Sequence, residues 1–98
     1  MEFSWDPRKS DETLRLRQLD FPFAIGIFAG PVVAYPDTRR EYGELRMIAV
    51  GVVDGVLLSV VYTDRLTERG GFERRIISAR RSSRKERKAY EESISKHG

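Results

Sequence analysis

The sequence predicts an α+β fold, a small and mostly antiparallel β-sheet with two N-terminal helices and one C-terminal helix. Three observations point there. Residues 45–53 and 56–65 are rich in β-branched side chains, and Asp54-Gly55 between them is a two-residue hairpin signal, because both central positions of the tight turn need positive φ. Asp6-Pro7 and Asp20 offer N-caps to two early helices. Ser83 and Glu86 have the spacing of a capping box, which opens a last helix.

In chain order, residues 2–5 alternate polar and apolar and form a short first strand. The helix from Asp6-Pro7 should run to about Leu19, with Leu14, Leu16 and Leu19 on or near one face. Asp20 caps a second, more apolar helix through Phe21, Phe23, Ile25, Ile27 and Phe28, ended by Gly30-Pro31; its aromatic content marks it as core. Residues 32–35 read as a strand and 36–42 as a polar loop. After the hairpin, a looser loop at 67–71 leads to a strand at 72–80, and the last helix continues through Tyr90 to about Ile94. Ninety-eight residues allow one small domain, so 1–98 is read as a single unit with 92–98 a flexible tail.

The formal net charge of +3 hides an asymmetry. Residues 74–88 hold eight of the eighteen Lys and Arg residues against one acid, Glu86, a local +7; the ten basic and fourteen acidic groups elsewhere leave −4. Such a field attracts polyanions, phosphate backbones above all, or an acidic protein partner. Absence of cysteine removes disulfides and thiolate metal sites. No apolar run approaches 18 residues and no secretory signal is visible, so a cytoplasmic protein without a membrane span is expected.

In the hairpin, Val53 faces Val56, and counting outward pairs Val50 with Ser59, Ile48 with Val61, Arg46 with Thr63 and Glu44 with Arg65. Alternation is expected to send these pairs to one side of the sheet, apolar near the turn and polar at the far end. Leu45, Met47, Ala49, Leu58 and Val60 take the other side, with Tyr62 opposite Met47. By spacing alone, an Arg and a Glu across a ladder are most simply a surface ion pair worth about 0–1 kcal/mol.

Phe3-x-Trp5-Asp6-Pro7-x-Lys9, the apolar segment 21–28 ending near Pro31, Glu44-x-Arg46 with its apolar run to Gly51, Tyr62-Thr63-Asp64-Arg65, and Arg75-Ile76-Ile77-Ser78-Ala79-Arg80 followed by Glu86-Arg87 and Tyr90 resemble, in order, the BrnT toxins of bacterial type II toxin–antitoxin systems. The resemblance implies a RelE-like fold and metal-independent RNA cleavage that inhibits translation. It also implies neutralisation by a BrnA-like ribbon-helix-helix antitoxin in a 2:2 complex, with operator DNA contacted only through the antitoxin. The chain departs from the family where members usually carry Asn near position 13 and Lys-His-Gly near 16–18; here stand Thr13, Leu16, Arg17 and Gln18.

Cleavage through the RNA 2′-hydroxyl needs a proton acceptor, charge stabilisation at phosphorus and relief of charge on the leaving 5′-oxygen. The only histidine, His97, is one residue from the C-terminus, and the acids show no metal-ligand spacing, so two-histidine and two-metal chemistry are disfavoured and no cofactor or metal is expected. Guanidinium stabilisation remains. Glu44, Arg46, Arg65 and Arg80 are the expected catalytic set, the arginines clamping the scissile phosphate as bidentate donors. Lys9, Arg75, Arg81 and Tyr62 are the expected substrate contacts. Plainer readings stand beside them: Trp5 and Tyr62 as packing residues, Lys9 as an exposed helix lysine, and Arg84, Lys85, Arg87 and Lys88 as a solvated helix face. The alternative function is a catalytically weak or inactive module that binds RNA or antitoxin, and a third reading is a structural protein with a basic tail.

Overall fold

The computed structural model describes residues 1–97, and of His97 the backbone alone. The elements are β1 (Glu2–Trp5), α1 (Pro7–Arg17), α2 (Phe21–Ala24) running into a 3-10 helix (Ile25–Ala29), β2 (Val32–Pro36), β3 (Met47–Val53), β4 (Val56–Leu66), β5 (Phe72–Arg81) and α3 (Arg84–His97). One five-stranded sheet holds all the strands in the order β1-β5-β4-β3-β2. Three of the pairings are antiparallel, but β1 runs parallel to β5, so the sheet is mixed. Parallel pairing requires a crossover, and everything between β1 and β5 supplies it.

Both expected N-caps form. Asp6 accepts a hydrogen bond from the Arg8 backbone N–H at 2.9 Å, and Asp20 accepts from Phe23 N–H at 2.9 Å. Leu14 and Leu16, expected on or near one face with Leu19, are 49% and 63% exposed; only Leu19, beyond the helix, is buried. Polar bonds dock α1 instead. Phe21 N–H donates to the buried Ser10 Oγ at 3.1 Å, Arg17 Nη1 donates to the Ala79 carbonyl at 2.8 Å, and Arg81 Nη1 donates to the Arg17 carbonyl at 2.8 Å.

The hairpin has the expected register, Val53 opposite Val56 and Met47 opposite Tyr62, with Asp54 at φ 48° and Gly55 at φ 76° in the turn. Its apolar pairs divide between the two faces. Val53 and Val56 do not share a side with Val50 and Ser59, because Val53 lies an odd number of residues from Val50. On one face Leu19, Phe21, Ala24 and Ile27 cover Ala49, Leu58, Val60, Tyr62, Ile76 and Ala79. Close approach there depends on Gly51, where an added Cβ would lie 2.9 Å from Ile27 Cβ. On the other face Ile48, Val50, Leu57 and Val61 pack with Ile77 and Tyr90 of α3.

The capping box closes reciprocally: Ser83 N–H donates to Glu86 Oε1 at 2.8 Å, and Glu86 N–H donates to Ser83 Oγ at 3.2 Å. From that start α3 continues to His97, so residues 92–97 are helical where the sequence suggested a tail.

Candidate functional site

The far end of the hairpin carries the polar cluster. Ladder pairing of β3 with β4 stops at Met47–Tyr62, so the expected rungs Arg46–Thr63 and Glu44–Arg65 are not formed by backbone bonds. A side chain takes over: Thr63 Oγ1 donates to the Leu45 carbonyl at 2.7 Å, while the Arg46 carbonyl accepts from Asp37 N–H at 2.8 Å. Glu44 then accepts from Arg46 Nε at 3.2 Å and lies 3.8 Å from Arg65 Nη2. Arg46 is the more covered cation, its guanidinium stacked 4.1 Å from the centroid of the Tyr42 ring.

A β-bulge decides which arginine of β5 joins this face. Val61 pairs with Ser78 but Tyr62 pairs with Ile76, leaving Ile77 as the extra residue. Alternation from Arg80 without that insertion would put Arg74 on the face of Arg46 and Arg65; the bulge exchanges the two. Arg75 therefore sits opposite Thr63, on the side that carries Arg65. Arg74 goes to the opposite face, where it donates to both oxygens of Asp64 at 2.8 and 2.9 Å and stacks over Phe28 and Tyr62. Its guanidinium pKa is raised by the Asp64 hydrogen bonds.

Several expected site residues lie elsewhere. Arg80 pairs with Ser59, four residues along β4 from Thr63 and so roughly 13 Å away at the strand rise. It donates to both oxygens of Glu86. That pairing, chiefly, holds the Glu86 carboxyl at about 2, well below the usual carboxylate range. Tyr62 is 6% exposed, edge-on to Phe28, and burial pushes its hydroxyl pKa up. It belongs to the core face. Arg81 pairs with Leu58 on that same face and binds the last turn of α1, where a cation suits the carbonyl end of the helix.

Lys9 lies on α1 in a groove of about 260 Å³ that Thr13, Arg17, Ile77 and Ser78 also line. Positions 9, 13 and 17 form one helical stripe. Arg17 is committed to the Ala79 carbonyl.

Sequence reasoning missed Tyr42, Asp37 and the Arg74–Asp64 pair. The first two fall in a polar loop without periodicity; the third depends on the bulge. Asp37 accepts from Arg39 Nε and Nη2, both at 2.8 Å, and from the Tyr42 hydroxyl at 3.2 Å. Those Arg39 bonds lower the Asp37 carboxyl to about 2. The loop forms a shallow depression of about 590 Å³ lined by Tyr42, Glu44 and Arg46 among others.

Among the described residues, no group of three or more His, Cys, Asp or Glu side chains is placed to hold a metal. No described helix is long and apolar enough to cross a membrane. The arrangement offers guanidinium donors around a partly exposed carboxylate at the far end of the hairpin, a chemistry suited to phosphate.

No curated protein matches the chain. Residues 5–86 match the family model described as ribonuclease toxin, BrnT, of type II toxin-antitoxin system. That span takes in most of the chain, including the hairpin, the Glu44–Arg46–Arg65 cluster and the bulged last strand. The chain therefore belongs to the BrnT family of ribonuclease toxins, whose type II systems pair each toxin with a protein antitoxin.

Proposed function

We propose that this BrnT toxin is a metal-independent endoribonuclease that inhibits translation, and that Arg46, Arg65 and Arg75 bind the scissile phosphate on the open end of the sheet. The observation that carries the reading is the sharing of Glu44 by Arg46 and Arg65, beside Thr63 and Arg75 on one face. As the 2′-oxygen attacks phosphorus, its proton passes to water, the bond to the 5′-oxygen breaks and that oxygen takes up a proton from water; charge builds meanwhile on the non-bridging oxygens, and fixed guanidinium donors stabilise it more than the ground state. Glu44, its oxygens engaged with the two arginines, orients them. The other prominent acids, Asp37, Asp64 and Glu86, are each matched to a guanidinium as well, which leaves arginine chemistry rather than metal ligation. Arg80 moves in this reading from catalysis to the support of α3, and Tyr62 and Arg81 move to the packing of the sheet and α1.

Helices on both faces of this sheet support a RelE-like architecture. Control falls to a BrnA-like ribbon-helix-helix antitoxin in a 2:2 complex that contacts operator DNA on the toxin's behalf. The cationic surface of α3 supports a salt-sensitive interface. Incubating the purified chain with cellular RNA and excess chelator tests the activity: fragments are expected, and intact RNA at high protein excess contradicts it.

A second reading, a weak or inactive toxin that binds RNA or antitoxin, is favoured by Arg17. It replaces the usual histidine, and its guanidinium already serves the Ala79 carbonyl. This reading predicts salt-dependent RNA association without cleavage.

A further inference from the structure

We infer that Asp37 is a positioning residue for the phosphate site: through the Tyr42 hydroxyl it fixes the aromatic ring on which the Arg46 guanidinium rests. The inference rests on the reading of Arg46 as a phosphate ligand, and adds the residues that set its reach.

Backbone and side chain of Asp37 both converge on Arg46. One residue past the end of β2, its N–H extends the ladder to β3 by donating to the Arg46 carbonyl at 2.8 Å. Its side chain, 1% exposed, collects Arg39 Nε and Nη2, the Arg39 backbone N–H at 3.3 Å and the Tyr42 hydroxyl. A carboxylate so covered, in an otherwise exposed loop, is a fixed point. The loop turns back at Gly43, whose φ of +75° lies in the left-handed region and brings Glu44 round to the Arg46 Nε.

Tyr42 is held at its hydroxyl and used on its faces. Arg46 lies 4.1 Å from the ring centroid and Arg40 5.1 Å. With guanidiniums already against it, the ring is poorly placed to stack on a nucleobase and serves instead as a seat for Arg46. Arg46 is thus located by its own carbonyl, by Glu44 at Nε and by the ring against the guanidinium plane. Its Nη groups have no hydrogen-bond partner among the described residues, which leaves them for a phosphate.

The test combines Asp37→Asn and Tyr42→Phe, singly and together, with two readouts on the full chain. Single-turnover cleavage of a labelled mixed-sequence oligoribonucleotide is expected to fall about tenfold or more in each single variant, with KM changed less than threefold. The double variant should be no slower than the worse single one, because both cut the same link. The side-chain proton resonances of Arg46, shifted upfield by the Tyr42 ring in the wild type, should move toward unstacked values in each variant. Unchanged Arg46 resonances in both single variants would overturn the inference, whatever the cleavage rates. So would fully additive losses in the double variant. If Asp37→Asn does not fold, Tyr42→Phe decides alone. If Arg46→Ala cleaves like the wild type, the phosphate-site reading fails, while the resonances still report whether Asp37 positions Arg46.

Discussion

Arg80 of β5 donates two hydrogen bonds to Glu86 in the first turn of α3, at 2.6 and 2.9 Å, and so ties the last helix to the strand that precedes it. The Tyr35 hydroxyl donates to the same carboxylate at 3.4 Å from the edge strand β2. Its pKa is raised by burial and then by the negative charge of Glu86. Glu86 thus joins three elements while closing the capping box.

Arg80→Ala strands a carboxylate whose side chain is 12% exposed. It should cost roughly 2 kcal/mol, a fall of about 10 °C in melting temperature for a domain of this size. A melting curve matching the wild type, together with lost RNA cleavage, would return Arg80 to the reaction.

Acid should act through the same group. Glu86 has a folded pKa of about 2, below its ordinary 4.5, so its contribution is present above 4.5 and is lost as pH falls toward 2. Asp37, lowered to about 2, adds to the slope in the same window. Melting temperature should therefore drop between pH 4.5 and 2, and less steeply in Glu86→Gln. Parallel curves for variant and wild type would show that Glu86 does not contribute.

Glu44→Gln separates orientation from a surface ion pair. With its arginines no longer held by charge, cleavage should slow by about 100-fold while the melting temperature changes little. Activity equal to the wild type would make Glu44 a solvated edge.

Arg17→His restores the residue usual in the toxins this chain resembles. Since Arg17 docks α1 on β5, away from the Glu44 cluster, the substitution should change the cleavage rate by less than threefold. A gain of tenfold or more would favour the weakened-toxin reading.

Local signals carried much of this fold in the sequence. Asp54-Gly55, the two aspartate N-caps and the Ser83–Glu86 box each depend on residues within four positions, and each forms as expected. Non-local pairing was not legible. Nothing in residues 2–5 says that they will lie parallel to β5, some seventy positions away. The bulge at Ile77 has no turn residue to announce it, yet it decides that Arg75 rather than Arg74 shares the face of Arg65. For the site, the two-residue turn sets the register as far as Met47–Tyr62, and beyond it the Thr63–Leu45 bond and the Glu44 ion pairs bring Glu44, Arg46 and Arg65 together. Arg80 did not join them, because its distance along β5 depends on where that strand pairs.

The most direct test of the central claim is single-turnover RNA cleavage by Arg46→Ala and Arg65→Ala beside the wild type, in chelator, with melting temperatures measured on the same preparations. Cleavage by the wild type is expected, with a loss of about 100-fold or more in each variant at little-changed stability. Cleavage at the wild-type rate by both variants would place the chemistry away from this face of the sheet.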